Sequence, residues 1–114
     1  MNAWINLRKF VDLASAETSY QELDTLSQRV LEWVCVKHAP KTPLFVQTIV
    51  LDSRIASRAT IHKCLATLER TDFLKFEVDP EDARRRIVSP STKALRTIDA
   101  LSKRVAKWAR QNNA

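Results

Sequence analysis

A chain of 114 residues with 45% hydrophobic content is long enough for one core and short for two, so a single domain spanning 1–114, with no need of disulfides, is expected. Its net charge of +6 favours anionic partners. The absence of glycine removes the phosphate-cradling loop, the dinucleotide turn and the nucleophile elbow, which all need positive φ or close backbone approach. There is no run of roughly 20 apolar residues to span a bilayer and no secretory leader pattern, so the expectation is a soluble, cytoplasmic protein that contacts no membrane and is not an enzyme.

Residues 3–16 put Trp4, Leu7, Val11 and Ala14 at helical spacing and predict a short amphipathic helix. A second helix is expected from Ser19 to about His38 on the stripe Leu23, Leu26, Val30, Trp33 and Val34, with Glu22 and Asp24 in an acidic first turn and Ala39-Pro40 as its stop. Thr42 followed by Pro43 reads as an N-cap with proline at the first helical position, opening a third helix through about Leu51. Asp52-Ser53-Arg54 breaks it. Ser57 then caps a fourth helix, Arg58 to about Arg70, whose inner face is Ile61, Cys64, Leu65 and Leu68. At 100° per residue its outer face carries Ala59, Lys63, Ala66 and Arg70, with Thr60, His62 and Thr67 at the edges.

After Thr71-Asp72 the period changes to alternation in Phe73 to Val78, which predicts a strand with Leu74, Phe76 and Val78 on one face and Lys75 and Glu77 on the other. Asp79-Pro80-Glu81-Asp82 supplies a turn, and Arg86 to Ser89 returns as the partner strand, with Arg84 and Arg85 near the tip of a two-stranded hairpin. Ser91 or Thr92 caps a last helix with the stripe Leu95, Ile98, Leu101, Val105 and Trp108. The three tryptophans lie on these stripes and are expected to pack in the core or at a dimer contact rather than to stack on bases.

Three adjacent arginines, Arg84 to Arg86, repel one another unless water screens them or an anion neutralises them. Residues 54–96 carry ten Lys and Arg against six Asp and Glu, and the rest of the chain nine against seven, so the positive field centres on the stretch that holds the triplet. The fourth helix has an outer face that is small in the middle and basic or hydroxylic around it, a shape that enters a groove and offers donors to phosphates and base edges. Helix, helix, helix, turn, capped helix, hairpin, helix is the order of a helix-turn-helix followed by a β wing, a mainly α (α+β) fold.

The stretch from Ile55 to Ala94 resembles the MarR family of winged helix-turn-helix regulators. Leu68-Glu69, Asp79-Pro80-Glu81-Asp82, Arg84 and Val88 fall in register with that family's recognition-helix ending and wing. The resemblance implies a helix-turn-helix at 42–70, a wing at 73–90, and dimerisation helices at 1–18 and 92–114. It further implies a homodimer that binds double-stranded DNA and regulates transcription. Ser57, Arg58, Thr60, His62 and Lys63 would meet the major groove, with Arg84 in the minor groove, oriented by Asp82. Lys75, Arg85 and Arg86 are expected to add phosphate contacts. Asp72 and Ala94 stand where the family usually has glycine, Ala83 stands for the first wing arginine, and Asp52 to Ala56 makes a longer turn than a tight helix-turn-helix.

Other readings compete. A winged helix kept as a protein-interaction scaffold, or a plasmid or phage replication or partition protein, would have the same outline, and control by a small-molecule effector stays open. Cys35 and Cys64 lie on apolar stripes and read as reduced core thiols. A zinc site built from Cys35, His38, His62 and Cys64 is disfavoured, because residues two apart on a helix point about 200° apart; neither metal nor cofactor is expected.

Overall fold

The computed structural model of the chain describes residues 2–112. Five α-helices (α1 Asn2–Ala16, α2 Thr25–Lys37, α3 Val46–Asp52, α4 Arg58–Arg70, α5 Thr92–Gln111) alternate with a 3-10 turn at Ser19–Glu22 and strands β1 (Leu44–Phe45), β2 (Leu74–Asp79) and β3 (Asp82–Pro90). The described residues gather into two compact units, residues 2–23 with 96–112, and Asp24–Leu95.

In the unit Asp24–Leu95, α2, α3 and α4 supply the core through Val30, Leu31, Val34, Ile49, Val50, Ile61, Cys64, Leu65 and Leu68, to which Phe73, just before β2, and Leu74 and Val88 of the sheet's inner face are added. Burying each of the larger side chains contributes about 1.5–3 kcal/mol. The sheet is antiparallel, ordered β1-β3-β2. In the other unit, Ala14, Tyr20 and Leu23 are buried, Phe10 stacks on Trp108 at 5.7 Å between ring centroids, and Arg104 pairs with Glu17.

Several elements differ from expectation. The long second helix is interrupted: Thr18 accepts from Tyr20 N and opens the 3-10 turn, Leu23 is extended, and Asp24 is the N-cap of α2, its carboxylate accepting from Ser27 N and Ser27 Oγ. The third helix starts at Val46, not at Pro43. Thr42 instead bridges to Ala39 in a tight turn, and Leu44 and Phe45 pair with Val88 and Ile87. The wing hairpin therefore gains a third strand, because the outer edge of β3 offers hydrogen-bonding groups that the chain before α3 can satisfy. Trp4 is 67% exposed, outside any core of this chain.

The exit of α4 fixes how the helix meets the wing. Phe73 N donates to Leu68 O and Asp72 N to Glu69 O, a Schellman ending with Asp72 at φ 63°. Phe73 and Leu68, both fully buried, make its apolar clasp. Ser91 Oγ donates to Asp72 O at 2.6 Å and accepts from Ala94 N at 3.0 Å, so Ser91 caps α5 while holding the end of α4. Lys93 Nζ adds a bond to Thr71 O and lies 4.4 Å from the centroid of the Phe73 ring.

Candidate functional site

α4 forms where the pattern places it because Ser57 accepts from Thr60 N at 3.3 Å and donates to Thr60 Oγ1 at 3.0 Å, satisfying an orphan donor of the first turn. With Ile61, Cys64, Leu65 and Leu68 buried, the opposite face is left to solvent: Ser57, Arg58, Ala59, His62, Lys63, Ala66 and Arg70 are exposed, and Thr60 and Thr67 are half-buried at the edges. Glu69 is the one acid exposed on the helix. Arg70 belongs to this cationic surface by position, although sequence reasoning placed it on the face without assigning it a contact.

The wing differs in detail from a simple hairpin. Val78 pairs with Arg86, but Asp79 pairs with Asp82, so Ala83, Arg84 and Arg85 bulge out of the ladder. The arginines thus lie beyond the turn, at the start of β3. The turn is built by side chains: Asp79 Oδ1 accepts from Glu81 N, and Asp82 Oδ1 accepts from Arg84 N, both at 3.0 Å.

The three arginines have three environments. Arg84 is 90% exposed on its side chain and donates through Nε and Nη2 to the two oxygens of Asp82. The guanidinium, followed by the Arg84 backbone N–H, holds the Asp82 carboxyl below the usual carboxylate range. Arg85 turns back on Asp79 and lies 4.3 Å from the centroid of the Phe45 ring. Arg86 lies over Phe76 at 4.9 Å. Lys75 is exposed and paired with Ser89; it stands three positions before Val78, the partner of Arg86, an odd offset, so alternation puts Lys75 and Arg86 on opposite faces of the hairpin. The structure thus brings Ser57, Arg58, Thr60, His62 and Lys63 together on one capped helix, and puts Arg84 and Arg85 on the bulge with Arg86 at its edge in the ladder, but does not gather Lys75 with Arg86.

The contacts of Asp79 and Phe45 escaped sequence reasoning. Asp79 read as a turn residue, yet it is 6% exposed, and Phe45 read as part of a helix. The signal available was a surplus of charge: an acid at each end of Asp79-Pro80-Glu81-Asp82 facing three bases. Neither cysteine is poised for chemistry. Burial, and secondarily Glu32, pushes the Cys35 thiol up, and Cys64 is buried. Among the described residues no helix is long and apolar enough to cross a membrane.

No family model matches the chain, and no curated protein matches it. Solved structures do. MepR of S. aureus in complex with DNA superposes with a TM-score of 0.77 at 14% identity, over 97% of this chain and 85% of that one. MepR bound to ethidium bromide gives 0.71 at 15% identity, over 94% and 74%. The PcaV transcriptional regulator of Streptomyces coelicolor, with its natural ligand, gives 0.58 at 23% identity, over 92% and 71%. At these identities the likeness is one of fold, and the fold is the MarR-like winged helix expected from the resemblance of the stretch Ile55 to Ala94.

Proposed function

We propose that the protein binds duplex DNA and regulates transcription by occupying an operator. The observation that carries this reading is the pairing, in one winged-helix unit, of an exposed cationic face on α4 with a wing arginine that is 90% exposed and pre-oriented by Asp82. A solved structure of the same fold, that of MepR, contains DNA. In this reading Lys63, His62 and Thr60 face base edges or the adjoining phosphates. Ser57 and Arg58 fix register on the backbone. Arg84 enters the minor groove, where narrow A·T tracts deepen the negative potential.

The working form is a homodimer on a pseudo-palindrome. Trp4, Ile5 and Leu13 of α1 and Val105 of α5 are apolar side chains left 38–69% exposed in one unit, and a contact between two copies through these helices would cover them.

Fluorescence anisotropy on a duplex selected from a random pool, repeated across salt concentrations, tests the reading. Affinity should fall steeply with salt, with a slope set by the several phosphates neutralised. Arg84→Ala should weaken binding about tenfold and lower the slope by about 1 while the circular dichroism spectrum is unchanged. Salt-insensitive affinity, or a wild-type affinity in Arg84→Ala, rejects it. A salt-insensitive protein that still folds would fit an interaction scaffold instead.

A further inference from the structure

The like-charged triplet resolves into unlike roles. A β bulge of three residues leaves their backbone without ladder partners, so something else must fix the direction in which Arg84 leaves the sheet. Its neighbour is built to do so. Arg85 places Nη2 at 2.7 Å and Nε at 3.1 Å from Asp79 Oδ2, and Asp79 has a side chain only 7% exposed. The same carboxylate holds the turn through its other oxygen, which accepts from Glu81 N. The Arg85 Cζ lies over the Phe45 ring, 4.3 Å from its centroid, and Nε also lies 3.8 Å from Asp82 Oδ2, on the carboxylate that orients Arg84.

Phe45 has a second position in the fold. It ends β1, pairs with Ile87 of β3, and is the residue from which α3 starts. Arg85 therefore ties the end of β2, the bulge of β3 and the entry to the helix-turn-helix. We infer that Arg85 is a positioning residue: it sets the wing against the helix-turn-helix so that Arg84 is presented to DNA, and it does not itself neutralise a phosphate. This rests on the DNA-binding reading above.

The chemistry separates brace from contact. A planar guanidinium donates through two nitrogens to one carboxylate while stacking on a ring; an ammonium keeps the charge but loses the fork and the flat face. A phosphate contact is therefore largely kept in Arg85→Lys, and a brace is lost.

The test uses the full chain with Arg85→Lys, Arg85→Ala and Arg84→Ala. Amide hydrogen exchange over residues 79–86 of the free protein should quicken by about tenfold in both Arg85 variants and stay near wild type in Arg84→Ala. On duplex DNA, Arg85→Lys should lose about as much affinity as Arg84→Ala yet keep the wild-type salt slope, whereas Arg84→Ala lowers that slope by about 1. Unchanged exchange in Arg85→Lys, or near-wild-type affinity in that variant with a slope lowered in Arg85→Ala, overturns the brace and makes Arg85 a phosphate contact. A wild-type protein that binds no duplex overturns the functional reading itself, and the exchange measurement then still decides whether Arg85 holds the wing.

Discussion

Ser91 is the side chain through which the end of α4 and the start of α5 are joined, and replacing it by alanine tests the way these elements are held. Its hydroxyl is 1% exposed as part of the residue, donates to Asp72 O at 2.6 Å and accepts from Ala94 N at 3.0 Å. Losing the N-cap costs about 1 kcal/mol. Leaving the Asp72 carbonyl without its donor costs about 1 kcal/mol more, at the low end of the range because Asp72 is exposed and water reaches it. For a domain of this size a loss of about 2 kcal/mol lowers Tm by about 8 °C. Thermal unfolding followed by circular dichroism reads this directly. Thr92→Ala is the control, since Thr92 is exposed and was the other candidate cap by sequence; it should move Tm by no more than about 2 °C. Should Ser91→Ala unfold within about 2 °C of wild type, or Thr92→Ala show the larger loss, the hydroxyl of Ser91 is not what joins the two helices.

Two further substitutions probe the turns. Asp72 holds φ 63° at the end of α4, a left-handed position next to the negative end of the helix dipole, so Asp72→Gly should raise stability by about 0.5–1 kcal/mol, read as a higher urea midpoint with an unchanged m-value. The Asp24 carboxyl, which accepts from Ser27 N and then from Ser27 Oγ, is held below its ordinary value of 3.8. Its folded pKa is depressed, so its contribution is present above about pH 4 and lost as pH falls through the lower folded value. Asp24→Asn, which keeps an N-cap but cannot titrate, should therefore flatten the fall of Tm below pH 4 while changing little at pH 7; an unaltered acid limb would show that another carboxylate governs it.

How far the sequence could be read depended on how local each cause was. α4 was legible from end to end, because its cap, stripe and polar face all follow from residues within four positions of one another. The hairpin was legible from the change of period at Phe73 and the proline turn. The strand at Leu44–Phe45 was not: Thr42-Pro43 has the local chemistry of a helix start, and only the open edge of β3, more than forty residues away, turns the next two residues into a strand. The interruption at Leu23 was hidden for the opposite reason, since the stripe from Leu23 to Val34 stays in helical phase across it, and the capping side chains of Thr18 and Asp24 decide the break. In the candidate site, the outer face of α4 was found by projection alone. The division of labour among Arg84, Arg85 and Arg86 could not be, because it depends on a bulge and on Phe45.

The lack of glycine ties these observations together. A chain without glycine must still reverse direction, and here it does so by spending polar side chains on backbone groups: Asp79 on Glu81 N, Asp82 on Arg84 N, Thr18 on Tyr20 N and Ser91 on Asp72 O. Where positive φ is unavoidable, at Arg54 and Asp72, the residue bears a conformational cost of roughly 1–2 kcal/mol, smaller for Asp. Turns made this way have few alternatives in the folded state, and the unfolded chain has less backbone freedom to lose. Arg54 lies in the turn that leads into α4, Asp72 follows its last turn, and Asp79 and Asp82 frame the wing. In the proposed reading, both elements that would meet DNA are thus framed by residues other than the assigned contacts, and substitutions at Asp72, Asp79 or Asp82 should alter binding by moving those elements.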